Sequence, residues 1–129
     1  MARTVQDLVA EARDRIEEMA PDQLAAQDGC VLIDVREPAE YAQGHLPGAI
    51  NLPRGVLEFQ IHAHPAMACT TSEALAVADR ELVLYCLTGG RSALAADSLQ
   101  ALGFTRVRSL AGGLTAWRNA GHPLTPETA

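Results

Sequence analysis

Along the chain the apolar positions change their period several times, and each change marks an element. Val5, Leu8, Val9, Ala12, Ile16 and Met19 recur at helical spacing behind Thr4, a residue suited to capping, with Asp7 three positions after it. A first helix with one face on the body is expected there. Residues 21–27 read as a second short helix, closed by Asp28 and Gly29. Residues 30–35 form an unbroken apolar run of the kind buried on both faces of a sheet. A short helix over 38–43, a turn over 44–48 and a brief strand over 49–52, halted by Pro53, come next. Residues 55–79 read as helix, loop and helix, divided at Pro65, with Thr71 or Ser72 capping the second piece. Residues 81–85 are another apolar strand. Six loop residues separate it from an amphipathic helix that starts near Arg91 or Ser92, turns Leu94, Ala95, Leu99 and Leu102 inward and ends at Gly103. A last strand over 105–110, a glycine turn at Gly112 and Gly113 and a helix through Trp117 to Ala120 complete the pattern.

Helices alternating with short buried strands predict an α/β fold: a parallel sheet covered on both faces, joined by right-handed crossovers. Ligands in such sheets bind beyond the carboxyl ends of the strands. A chain of 129 residues fits one core. It divides into an N-terminal helical extension, residues 1–20, a main domain over 21–122 and a Pro-containing tail over 123–129.

Charge and composition narrow the function. No apolar run approaches the ~20 residues of a membrane span, and the mixed-charge N-terminus lacks the apolar core of a secretory signal, so no membrane partner is expected and the cytoplasm is the default location. A net charge of −6 argues against nucleic acid. All ten basic residues are arginine, which removes a lysine Schiff base and a P-loop lysine. Three cysteines, Cys30, Cys69 and Cys86, make neither an even disulfide set nor a paired metal knuckle, and in a reducing compartment they stay thiols. Residues 86–118 hold four arginines against one acid, Asp97, which reads equally as a solvated surface or as a local field favouring a small anionic substrate.

Cys86 sits where the strand over 81–85 ends and before the N-terminus of the following helix, whose unpaired N–H groups and dipole favour a thiolate. Gly89 and Gly90 allow the backbone to turn its amides inward, so that amides rather than side chains form an anion cradle. Arg91 adds a permanent charge for an oxyanion, and Thr88 and Ser92 offer hydroxyls, although Ser92 equally suits the helix cap. A lone cysteine after a strand is ordinarily an inert buried residue; its glycine and arginine neighbours reverse that reading.

Four stretches, residues 32–41 (LIDVREPAEY), 44–51 (GHLPGAIN), 86–92 (CLTGGRS) and 111–117 (AGGLTAW), occur together in an order that resembles the rhodanese family. The resemblance implies a three-layer domain with a five-stranded parallel sheet and helices on both faces. It also implies a ping-pong sulfurtransferase in which Cys86 takes sulfane sulfur from thiosulfate, or a related persulfide donor, and holds it as a persulfide. Residues 87 to 92, Leu87, Thr88, Gly89, Gly90, Arg91 and Ser92, then form the substrate loop. The acceptor is cyanide, a thiol such as a thioredoxin-like dithiol, or a protein; neither metal nor cofactor is implied. Leu87 stands where many thiosulfate-active relatives carry a basic residue. Two other readings share the motif: a carrier module that relays sulfur or binds a protein partner, and a rhodanese-related phosphatase. Four residues, Leu87 to Gly90, separate Cys86 from Arg91, whereas the phosphatase pattern has five.

The remaining polar residues read as structural. Asp34 and Arg36 support adjacent turns near the loop, and His45 supports its own turn. His62 and His64 lack further ligands at metal spacing. Cys69 is a weak candidate for resolving a persulfide, Cys30 a weaker one, and Tyr85 and Trp117 are packing residues.

Overall fold

The computed structural model describes residues 3–27, 30–61 and 81–125. In chain order its elements are α1 (Val5–Arg15), β1 (Glu17–Met19), α2 (Pro21–Ala25), β2 (Val31–Asp34), α3 (Pro38–Ala42), β3 (Ile50–Asn51), α4 (Leu57–Gln60), β4 (Leu82–Tyr85), α5 (Gly90–Ala101), β5 (Val107–Leu110) and α6 (Gly113–Asn119). The strands form one parallel five-stranded sheet in the order β1-β5-β4-β2-β3. None of the helices among the described residues is long and apolar enough to cross a membrane.

The strand pattern explains the layers. In β4 all four residues are fully buried, and successive side chains go to opposite faces. Leu82 and Leu84 join Ile33, Val35, Leu57, Ile61, Ala95, Leu99 and Phe104 in one cluster beneath α4 and α5. Val83 and Tyr85 join Met19, Leu24, Leu46, Leu114 and Trp117 in the other, beneath α2, α3 and α6. Two apolar layers thus clamp a central strand whose one polar group is the Tyr85 hydroxyl, bonded to the Leu46 N–H, as the continuous run predicted.

At its start α1 behaves as expected: the Thr4 hydroxyl accepts from the Asp7 N–H at 3.1 Å, and the Asp7 carboxylate accepts from the Thr4 N–H at 2.9 Å. Its end does not. Ile16 swings to extended backbone, and Met19, expected on this helix, lies on β1, paired with Leu110 of β5 and 2% exposed. Parallel pairing buries Met19 in a way that a continued helix would not, and tertiary packing overrides helix propensity. The sheet's edge strand therefore comes from within residues 1–20. Val5 and Leu8 also remain exposed, at 56% and 44%, and only Ala12 of α1 is fully buried. The bidentate Arg15–Asp97 pair, at 2.9 and 2.7 Å, ties α1 to α5.

Nearer the site, α5 begins at Gly90, one residue before the expected start near Arg91, with Gly89 in a left-handed conformation (φ 102°) as its N-cap. One expectation there is corrected. Leu102, expected inside, is the 49%-exposed C-cap of the helix that Gly103 ends (φ 106°), and Phe104, whose N–H reaches the Leu99 carbonyl at 3.0 Å, fills the inner position at 2% exposure. Of residues 55–79, α4 accounts for the start; Pro65, Thr71 and Ser72 lie outside the described residues. At the other end, Thr125 pairs with His45 and Leu124 packs on the second cluster.

Because Leu84 lies at the centre of both the sheet and its cluster, Leu84→Ala is expected to cost about 2–5 kcal/mol, the range for buried leucine truncation, read as a lowered urea midpoint at unchanged slope.

Candidate active site

The alternation that fills the core also aims the candidate nucleophile. Cys86 continues the face of Leu82 and Leu84 and packs in their cluster, so its sulfur sits on the α5 side at 2% residue exposure. The Gly89 N–H points at Sγ over 3.1 Å and the Ser92 N–H over 3.5 Å. Those are amides of the N-cap and first turn of a twelve-residue helix, where unpaired donors and the dipole together favour negative charge. The Ser92 hydroxyl lies 3.6 Å from the same sulfur and shares a 2.8 Å hydrogen bond with Ser109. Ser92 is therefore not the cap: it is a buried residue of the first turn that is anchored to β5 and faces the thiol. Thr88 is exposed at the loop's edge, and Leu87 is 43% exposed.

The loop's carbonyls are held from behind. The Leu114 N–H donates to the Cys86 carbonyl at 2.9 Å and the Thr115 N–H to the Leu87 carbonyl at 3.0 Å, so the start of α6 is docked on the loop. Gly113 makes that approach possible. It has φ +60°, and a Cβ there would stand 2.5 Å from the Cys86 carbonyl oxygen and 2.7 Å from that of Leu87. The sequence marked Gly112 and Gly113 as a turn; the structure gives the second glycine a further role, close contact with the cysteine loop.

Asp34 and Arg36 form the buried pair expected of them. The Arg36 guanidinium meets both Asp34 oxygens and the Gly44 carbonyl, the last at 2.7 Å, and lies over the Tyr85 ring. Asn51 donates to the carbonyls of Asp34 and Arg36, at 3.0 and 2.9 Å, which locks the end of β2 to β3. Burial, and secondly the Asp34 charge, push the Tyr85 hydroxyl far above the usual tyrosine range; it accepts from the Leu46 N–H at 3.1 Å and stays neutral. His45 contacts the Tyr41 carbonyl at 3.0 Å through Nδ1 and stacks on the Tyr41 ring, a support role. Trp117 donates to the Pro123 carbonyl at 2.8 Å, and Cys30 is half-buried away from the loop's cluster. His62, His64 and Cys69 lie outside the described residues.

Arg91 is placed differently from the expectation of a free oxyanion ligand. Its guanidinium makes a two-pronged pair with Glu40 of α3, at 2.9 and 3.1 Å. Hydrogen bonding from Arg91 outweighs partial burial and holds the Glu40 carboxyl down at about 2. No spacing rule links residues 51 apart, so Glu40 was not legible as a partner.

A second arginine stands at the loop that the motif did not indicate. A cavity of about 420 Å³ opens on Cys86, with Thr88, Gly90, Arg91 and Leu94 on one side and Val5, Val9 and Arg13 of α1 on the other. Arg13 Nη2 comes within 3.3 Å of where a Cβ on Gly89 would stand. One signal was available: positions 5, 9 and 13 form an i, i+4, i+8 stripe, which puts Arg13 on the face of Val5 and Val9.

Comparison with known proteins agrees with the geometry. A model of the rhodanese-like domain matches residues 11–120. The chain is similar to a protein from Allochromatium vinosum named sulfurtransferase, 35% identical over 107 residues that cover 83% of this chain and 89% of that one. It is similar to the human thiosulfate:glutathione sulfurtransferase, 35% identical over 96 residues, 73% of this chain and 84% of that one. Among solved structures, a Rhodopseudomonas palustris protein of unknown function, described as a possible tyrosine phosphatase, superposes with a TM-score of 0.78 at 32% identity and 96% coverage of both chains.

Gly113→Ala is expected to destabilise the protein by more than about 2 kcal/mol, from left-handed strain plus the carbonyl clash, and to alter the rate at which iodoacetamide labels Cys86, followed by peptide mass. Glu40→Ala should cost less than about 1 kcal/mol, because the pair is partly solvated. Glu40 is depressed in the fold, so its contribution is full above the unfolded carboxyl's ~4.3 and fades as pH falls through the folded value of about 2. The stability gap between the native protein and Glu40→Ala, measured by urea titration, should therefore narrow below about pH 4.

Proposed function

The chain belongs to the rhodanese-like family of sulfurtransferases, and we propose that it moves sulfane sulfur through a persulfide on Cys86. The observation that carries this reading is the pair of helix N-terminal amides, Gly89 and Ser92, directed at Sγ over 3.1 and 3.5 Å. In the first half-reaction the Cys86 thiolate attacks the outer sulfur of thiosulfate, or of a related persulfide donor. The sulfur–sulfur bond breaks, and the leaving group, sulfite from thiosulfate or a thiolate from a persulfide donor, departs with the bonding pair. The amides that steady the thiolate are equally placed for the persulfide anion. In the second half-reaction a thiophilic acceptor takes the outer sulfur and Cys86 returns as thiolate. Cyanide, a low-molecular thiol and a protein thiol all suit that step; the name of the human relative couples thiosulfate to glutathione and favours the thiol. Leu87, Thr88, Gly90 and Arg91 complete the substrate loop, and Asp34 and Arg36 support it. A reducing cytoplasm keeps such a thiol available.

A phosphatase reading draws on the Rhodopseudomonas palustris likeness. Against it stand the four-residue spacing from Cys86 to Arg91, one short of the phosphatase pattern, and the engagement of Arg91 by Glu40.

The test uses the native protein and Cys86→Ser, each incubated with thiosulfate, weighed intact and then given cyanide. The native protein should gain the mass of one sulfur atom and release thiocyanate, and the variant should do neither. No mass gain and no thiocyanate from the native protein would sink the thiosulfate assignment and turn attention to aryl phosphates.

A further inference from the structure

The cavity over Cys86 is larger and less polar than an inorganic donor requires. At about 420 Å³ it lies in the range of sites that hold organic ligands, and thiosulfate is a handful of atoms that needs amides and charge alone. Its outer wall comes from α1, outside the four motif stretches: Val5 and Val9 face Leu94 across the opening, and Arg13 closes the end beside Gly89. Three features make this wall a recognition surface. The first is the state of the two cations at the cavity. Arg91 has both Nη groups on Glu40, whereas Arg13 among the described residues makes one loose pair, Nε to Glu18 at 3.6 Å, and keeps its terminal nitrogens for a ligand. The second is exposure: Val5 is 56% exposed although the helical stripe calls for cover, which a ligand's hydrocarbon would supply. The third is proximity, since Arg13 and Cys86 line the same cavity.

We infer that Arg13 is a specificity-determining residue that binds the carboxylate of an organic thiol acceptor, whose carbon chain lies along Val5, Val9 and Leu94 and whose sulfur meets Cys86. The inference rests on sulfur transfer through Cys86 and names the class of acceptor. The thiol sulfur attacks the outer sulfur of the Cys86 persulfide, the Cys86 sulfur–sulfur bond breaks, and a new one joins acceptor and transferred sulfur. The thiol proton ends on the transferred sulfur, and Cys86 leaves as thiolate. No further oxidant or reductant is consumed.

The experiment loads the protein with thiosulfate and compares two acceptors of similar size, 3-mercaptopropionate and the uncharged 2-mercaptoethanol, as kcat/KM for sulfite release, with cyanide as a third acceptor for the native protein. The native protein should prefer the carboxylate by about tenfold, the effect of one modest charge-assisted contact, carried mainly in KM. Arg13→Gln should bring the ratio close to one, and Arg13→Lys should keep most of it, because the charge remains. A carboxylate preference that is absent from the native protein, or that survives Arg13→Gln, overturns the anchor while thiocyanate formation still upholds sulfur transfer. No turnover with any acceptor, cyanide included, overturns the sulfur-transfer reading and this inference with it. Arg13 is about half-exposed and only loosely paired, so both variants should keep the native stability in urea within about 1 kcal/mol, and the ratio reads recognition rather than folding.

Discussion

The hydrogen bonds from the Leu114 and Thr115 amides to the Cys86 and Leu87 carbonyls set the geometry on which the candidate site depends. A loop whose carbonyls are drawn to one side presents its amides to the other, and here the other side holds the sulfur. The constraint is tight because no side chain fits at Gly113: its Cβ would stand within 2.7 Å of both carbonyls. The stretch after β5 thus acts on the cysteine loop without touching the sulfur. Ser109, one residue from the end of β5, adds to the same effect by holding the Ser92 hydroxyl.

Three arginines surround the loop, and the fold uses each differently. Arg36 is 5% exposed and held by Asp34 and the Gly44 carbonyl; such a buried pair fixes geometry more than it stabilises, here the joint between the end of β2 and the turn before β3. Arg91 is half-exposed and forked onto Glu40, which ties the first turn of α5 to α3. Arg13 comes from α1 and is loosely paired. Sequence distance gives no guide to this division, since the arginine within the motif is the engaged one and the arginine outside it has its terminal nitrogens open.

The fold was legible wherever burial alone dictates the pattern. β4, and β2 up to Asp34 at its end, are apolar runs because both faces are covered, and α6 is set by a glycine turn and Trp117. β1 was not legible: Glu17-Glu18-Met19 continues a helical pattern, and only the partner strand β5 makes it extended. The start of α5 near Arg91 and its end at Gly103 were legible from the glycines; the exposure of Leu102 was not, because Phe104, beyond the turn, takes the inner position. At the site, Cys86 and its amides could be read from a strand end followed by glycines. The Glu40 pair could not, because contacts between distant elements leave no local period.

The alternation of β4 carries a last consequence beyond the strand. Cys86 and Leu87 are successive residues and diverge: Cys86 opens on the cavity walled by α1, and Leu87 on a separate one lined with Arg36, Glu40, Leu114 and Arg118. Among the described residues, a molecule in the cavity at the sulfur lies against α1, while Leu87 lines the other cavity. The loop motif specifies how a sulfur anion is held, and this is common to every donor and acceptor a persulfide can serve. On the inference above, discrimination among them falls to the α1 side of that cavity, where Val5, Val9 and Arg13 carry a helical stripe as their sequence mark. Chains that share the cysteine loop but differ along this stripe should therefore share the chemistry and differ in acceptor.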